Sequence, residues 1–193
     1  LLHGGSWLAV SASGRFAAVT NLRGSTLPVA ARSRGFLIRD FMLSEVLADR
    51  YVAGVAGAAD HYAGFHLIAG SIGTDVIHFS RTATVLGSGI HGFSNAAPGE
   101  RWPKVEAAVI RLRSAIEETS REAMADDLLT FLSTPTFTNA LESEVFISSD
   151  RYGTRSSTVI IATADEIALV EQSYGPGGVR DGDVRRIVLQ RAI

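Results

Sequence analysis

The hydrophobic pattern of the chain alternates between two periods. From Trp7 to Ala12 and from Arg15 to Thr20 the apolar residues fall on both alternating faces, Trp7, Ala9 and Val10 in the first stretch and Ala17, Ala18 and Val19 in the second. Near-continuous apolar runs of this length mark strands covered on both sides. Ser13-Gly14 between them supplies a residue that tolerates positive φ, so the stretch predicts a tight hairpin. A polar, Pro-containing connector follows from Leu27 to Arg34. Ser33 then reads as the cap of a helix in which Leu37, Phe41 and Met42 share a side. From Ser44 a second helix carries Leu47, Tyr51, Val55 and Ala58 at helical spacing. The period returns to two in Phe65 to Gly70 and Val76 to Arg81, which predict another hairpin closed around Ile72 to Asp75.

Thr82 to Glu100 is Gly-rich and irregular, with a short apolar piece at Thr84 to Leu86, and a loop of this length is often functional. Pro103 suits the first turn of the longest helix, whose stripe is Val105, Ala108, Val109, Leu112, Ala115 and Ile116. Ser120 starts a further helix with Met124, Leu128 and Leu132 inward, and Pro135 stops it. The last third holds four β-rich runs, Val145 to Ser148, Thr158 to Thr163, Ile167 to Gln172 and Val184 to Leu189, which suggest an antiparallel meander. Strands, then helices, then strands make an α+β layout in place of alternating βαβ units.

With 193 residues, 46% hydrophobic and 20% charged, the chain is long enough to bury a full core, and one compact domain over residues 1–193 is expected. A net charge of -2 gives no basic field, so neither nucleic acid nor an acidic membrane surface is suggested as a partner. The sequence contains no cysteine, which excludes disulfides, thiolate metal ligands and a thiol nucleophile within these residues and leaves the redox compartment open. No apolar run approaches the roughly 20 residues needed to span a bilayer. The chain opens without Met in sequence that already reads as structured, so Leu1 is not expected to be the biological start.

Gly87 to Gly92, GSGIHG, matches G-x-G-x-x-G, but Phe93 to Gly99 does not begin the helix that a dinucleotide site requires, and a flexible loop is the better reading. The five histidines, His3, His61, His66, His78 and His91, show no helical pairing, so no metal is expected. There is no G-x-S-x-G elbow. What remains is a set of hydrogen-bonding residues at strand ends and in loops: Asn21, Arg23, Ser94, Asn95, Arg151 and Arg155. An Asn in a loop is ordinarily a turn former. Here Asn21 follows a buried strand, Asn95 sits in the glycine-rich loop, and Arg155 leads into an apolar strand, so the three can face one pocket if their strands are neighbours. Amide and guanidinium groups are those that stabilise an oxyanion or hold a carboxylate.

GGSWLAVSASGRFAAVTN, YAGFHLIAGS (Tyr62 to Ser71), HGFSNA with the later Trp102-Pro103-Lys104, and RYGTRSSTVII (Arg151 to Ile161) together resemble the transport and Golgi organisation family, also called the NRDE family after its Asn-Arg-Asp-Glu motif. The resemblance covers nearly the whole chain in order. It implies an N-terminal-nucleophile (Ntn) hydrolase-like αββα sandwich, two mainly antiparallel sheets between helical layers. The family's opening strand with Met-Cys, and the NRDE segment after it, would lie upstream of Leu1, so the N-terminal strand is expected to be missing and the chain to be a piece of a longer protein. In related acylases a Cys at position one attacks an amide, with its own α-amino group as base. By that comparison Asn21, Asn95 and Arg155 take catalytic roles; Arg23, Ser94 and Arg151, read from their places at strand ends and in loops, are the candidate substrate-binding groups.

The resemblance therefore implies two functions for one pocket. One is amide-bond hydrolysis by the full-length form. The alternative is non-enzymatic binding or trafficking of haem or an acyl lipid, for which His61, His66, His78 and His91 are candidate axial ligands and haem the one cofactor. In both, the partner is a small molecule. The oligomeric state is not readable, and the expected compartment is the cytoplasm, with mitochondria the setting of eukaryotic relatives.

Overall fold

The computed structural model describes residues 4–26, 28, 31–118, 120–136, 140, 142–149 and 152–192. The chain divides into two compact units, Leu1–Glu100 with Arg191–Ile193, and Arg101–Gln190.

In the first unit the chain forms strands β1 (Leu8–Val10) and β2 (Arg15–Asn21), helices α1 (Gly35–Leu43) and α2 (Ala48–Gly57), and strands β3 (Phe65–Ser71), β4 (Val76–Phe79) and β5 (Ala83–Leu86). The strands make one antiparallel sheet in the order β1-β2-β3-β4-β5. The first hairpin turns at Gly14, whose φ of 83° a side chain would strain, and Gly14 N–H donates to Ser11 O at 2.9 Å. β2 and β3 are hydrogen-bonded neighbours although both helices intervene in sequence, and Leu22 N–H closes that excursion on Gly64 O at 2.9 Å.

The alternation of β2 sorts its side chains. Ala17 and Val19 are buried with Leu67, Ala69, Ile77 and Phe79 of β3 and β4, against Leu37, Ile38 and Phe41 of α1 and Val52 and Val55 of α2. Full burial stabilises by about 1.5–3 kcal/mol for each large aliphatic or aromatic side chain. The opposite row, Phe16, Ala18 and Thr20, is only half-buried, so the hairpin is fully covered on one face and falls short of the two covered faces that its apolar run predicts. Polar groups fasten the helices. Arg15 lies over the Phe41 ring, 4.0 Å from its centroid, and donates to Phe41 O at 3.0 Å and Val46 O at 2.9 Å. The Tyr51 hydroxyl donates to Leu37 O at 2.7 Å, and burial, reinforced by the charge of Asp40, raises its pKa above the usual phenol value.

Two helix starts differ from the expectation. Arg34, not Ser33, is the N-cap of α1, and no side chain caps it; Ser33 contributes its carbonyl, which accepts from Phe36 N–H at 3.1 Å. The second helix begins at Ala48 after an extended Leu47 that is 70% exposed, so Ser44 belongs to the end of α1, where its hydroxyl donates to Phe41 O at 2.9 Å.

The second unit holds helices α3 (Pro103–Glu118) and α4 (Arg121–Leu132), then the meander β6 (Ser156–Ala162), β7 (Glu166–Ser173) and β8 (Arg185–Gln190), antiparallel in that order. Ala125 and Leu129 of α4 are buried with Val159 and Val170, and Leu128, Leu132, Ile161 and Val184 pack around them. Arg111 pairs with Asp127 between the helices, and Arg186 of β8 pairs with Asp126. Of the α3 stripe only Ala115 is buried, and Ile116 is 55% exposed. Val145 to Ser148 forms isolated bridges, Pro135 with Phe146 and Ser148 with Gly153, in place of the expected strand.

Four helices and two antiparallel sheets of five and three strands give the described residues the α+β content expected of the sandwich. Among them no helix is long and apolar enough to cross a membrane.

Candidate functional site

β2 runs out at Asn21, which pairs with Phe65 at the start of β3 and is exposed. The chain then turns against the glycine-rich loop. Arg23 N–H donates to Asn95 O at 2.9 Å, and the Thr20 hydroxyl donates to Ser94 O at 3.2 Å. Within that loop the Ser94 hydroxyl accepts from Ala96 N–H at 3.2 Å. Four of the expected site residues, Asn21, Arg23, Ser94 and Asn95, thus lie in two segments joined by these bonds. Arg155 belongs to the other compact unit, where it is exposed just before β6 and its carbonyl accepts from Tyr174 N–H at 2.8 Å. Arg151 lies outside the described residues.

A histidine pair that spacing alone did not single out holds the loop from below. His66 Nε2 is 2.9 Å from Ala96 O, and His66 Nδ1 is 3.0 Å from His78 Nε2. A carbonyl can only accept, so His66 carries a proton on Nε2, and with both rings neutral its Nδ1 accepts from His78 Nε2–H. The two ring planes lie 17° apart, and His78 also meets Phe93 at a centroid distance of 4.5 Å. Burial, and then the neighbouring His66, lowers the pKa of His78 below 6.5, which favours its neutral form. The signal for this pair was the strand register: Ile68 faces His78, so His66 sits diagonally across β3 and β4 on the same face.

Beside this junction opens a cleft of about 720 Å³. Leu22, Tyr62, Phe65 and Phe79 supply its apolar walls, and Arg23, Asp60, Ser80 and Arg81 its polar groups. Ser80 carries a buried hydroxyl with no hydrogen-bond partner among the described residues. Asn21, Ser94 and Asn95 are not part of the lining, so among the described residues Arg23 is the one expected site residue that faces the cleft. Arg81 and Asp60 carried no signal in sequence, because each is an ordinary polar residue just beyond a strand or helix until the fold sets them beside Arg23.

The GSGIHG loop starts no helix between Gly87 and Gly99, and His91 Nε2–H donates back to Gly87 O at 2.7 Å, a closed turn with no phosphate cradle at a helix start. Among the described residues no group of three or more His, Cys, Asp or Glu is arranged to hold a metal ion.

Comparison with known proteins agrees with the blocks from which the resemblance was read. The family model described as Transport and Golgi organisation 2 matches residues 2–176. The Transport and Golgi organization protein 2 homolog of Bos taurus is 32% identical over 200 residues, covering 89% of this chain and 72% of its own length. The human homolog is 29% identical over 202 residues with the same coverage, and the Mus musculus homolog 27% identical over 201 residues. A family match over most of the chain, together with a relative above 30% identity, leads to one conclusion: the chain belongs to the Transport and Golgi organisation 2 family.

Proposed function

We propose that this chain binds a small amphipathic organic anion, a carboxylate carried on an apolar body such as haem or a fatty acyl group, in the cleft beyond β2, β3 and β4. The observation that carries the reading is the joint presence of Arg23 and Arg81 in a cleft walled by Leu22, Tyr62, Phe65 and Phe79. Guanidinium groups hold carboxylates through paired N–H donors, and apolar walls take up the body of the ligand. A volume of about 720 Å³ suits one such molecule. The buried Ser80 hydroxyl supports the reading, since a ligand oxygen would satisfy it.

For haem, the axial histidine is the second question. His66 spends both ring nitrogens on Ala96 and His78, so ligation there would break the pair. His61, exposed between the cleft residues Asp60 and Tyr62, is the residue to vary first. The test is a titration with haem, read at the Soret band, and with dodecanoate, read by calorimetry. Arg81→Gln should weaken both by about tenfold, as loss of a charge-assisted hydrogen bond does. Binding of both ligands unaffected by Arg81→Gln would sink the reading.

A second reading, amide-bond hydrolysis in a longer form of the protein, is favoured by the bond between Arg23 N–H and Asn95 O, which ties the segment after Asn21 to the loop bearing Asn95. It needs an N-terminal nucleophile, which these 193 residues do not include. Mass spectrometry of a family member with an exposed N-terminal Cys, incubated with amide and thioester substrates, decides it: an acyl adduct on that Cys is expected, and its absence counts against the reading.

A further inference from the structure

We propose that the cavity between the segment leading into β1 and the start of α1 is a second small-molecule site, independent of the cleft, for an organic anion attached to a flat ring. The cavity has a volume of about 400 Å³, is lined by Trp7, Phe36, Ala63, Arg32, Ser33 and Arg34 among others, and shares no lining residue with the larger cleft.

Its charge is under-used. Arg34 is anchored by one hydrogen bond, Nη1–H to Gly64 O at 3.0 Å, which fixes the fork and leaves its other N–H groups unengaged among the described residues. Burial lowers the pKa of Arg34, yet a guanidinium stays protonated, so a partly desolvated positive charge stands at the cavity wall. Arg32 comes no closer than 4.0 Å to Asp40, beyond hydrogen-bond reach. That carboxylate is already engaged by Arg39, through Nε at 2.8 Å and Nη2 at 2.7 Å. Two guanidinium groups therefore line one cavity, and the one acid near them, Asp40, gives Oδ1 to Arg39 and meets Arg32 only through a loose ion pair from Oδ2.

The ring preference comes from Trp7. It is 54% exposed, an unusual loss of apolar area for an indole next to a strand, and the Arg34 guanidinium carbon stands 5.8 Å from its ring centroid. A ligand whose anion is bonded directly to an aromatic ring can stack on the indole and reach that guanidinium at once. The walls are preformed: Ser6 N–H donates to Gly35 O at 3.2 Å, and Gly5 packs so closely on Gly35 that a Cβ there would lie 2.8 Å from its carbonyl carbon. Preorganisation of this kind spares the ligand the cost of ordering the site.

The experiment follows the two tryptophan indole N–H signals in a proton–nitrogen NMR spectrum while phenyl phosphate is added, with benzoate as the carboxylate arm. Trp102, 5% exposed, is the internal reference. Saturable movement of the Trp7 signal by either ring anion supports the proposal, and phenol and inorganic phosphate, lacking the charge or the ring, should bind about tenfold more weakly or less. Arg34→Gln should weaken the ring anion about tenfold. If that variant fails to fold, Arg32→Gln, at an exposed residue, should still weaken it by about threefold or more. Arg81→Gln, in the other cleft, should leave affinity unchanged. A Trp7 signal that does not move, or affinity untouched by the Arg32 or Arg34 variant, would overturn the proposal without bearing on carboxylate binding in the larger cleft, whereas affinity lost in Arg81→Gln would overturn it by placing the ring anion in that cleft.

Discussion

Replacing His66 by Leu removes the link between the sheet and the loop that carries Ser94 and Asn95 while keeping most of the side-chain volume. His66 is 6% exposed and Ala96 3%, so the loss acts on buried groups. The Ala96 carbonyl would lose its donor, and an unsatisfied buried acceptor costs about 1–3 kcal/mol. The bond from His78 Nε2–H goes as well, at about 1 kcal/mol net. Together these give an expected destabilisation of about 2–4 kcal/mol, read from urea unfolding by linear extrapolation. His78→Phe removes only the second bond, and the double variant should cost about 1 kcal/mol less than the sum, because one interaction is deleted twice. A more local readout is hydrogen exchange at the Arg23 amide, protected by Asn95 O in the same loop, which should speed up in His66→Leu. A loss of stability below about 0.5 kcal/mol, or an unchanged Arg23 exchange rate, would refute the view that the pair secures the loop.

Two further outcomes follow from the same sheet. Because His78 titrates below 6.5 in the folded chain, the unfolded state takes up its proton first as pH falls; stability should decline from about pH 6.5 downward, level off below the folded pKa, and decline less in His78→Phe, as urea midpoints between pH 8 and 5 would show. Gly70→Ala should destabilise by about 1–3 kcal/mol, since its Cβ would stand 2.8 Å from Asp75 O and 2.9 Å from Val76 Cα on the neighbouring chain segment, and a wild-type melting temperature would contradict the close packing.

The elements most legible in the sequence were those whose own residues decide them. The hairpin around Ser13-Gly14 and the strands Phe65–Ser71 and Val76–Phe79 follow from short apolar runs joined by glycine-containing turns, and both are local facts. Helix starts were less legible. Ser33 and Ser44 are good capping residues by type, but the bond between Ser6 N–H and Gly35 O fixes where α1 begins, and Arg15, reaching Phe41 O and Val46 O, fixes where it ends. The α3 stripe misled for a different reason: periodicity shows that a face is apolar, and only packing shows that it is covered. At the cleft, Arg23 was readable as a polar residue just past a strand end, while Asn21 and Asn95, read in the same way from a strand end and a loop, lie outside its lining. The His66 and His78 pair and the contribution of Arg81 were not, because they depend on which strands are neighbours and in what register. Arg155 illustrates the same limit, since spacing alone could not say which residues its strand would meet.

The excursion between β2 and β3 has a consequence for how this chain can change. Residues 22–64 leave the sheet and return to it through the bond from Leu22 N–H to Gly64 O, and Arg15 grips both shoulders of the turn between the two helices, at Phe41 O and Val46 O. A segment held at its ends lengthens cheaply, at about 0.6 kcal/mol for each doubling. Leu43 is 79% exposed, so the outer bend between the shoulders touches little that an insertion would disturb. That bend is therefore where a peptide tag, a reporter or an additional helix can be grafted while the sheet and its cleft stay intact.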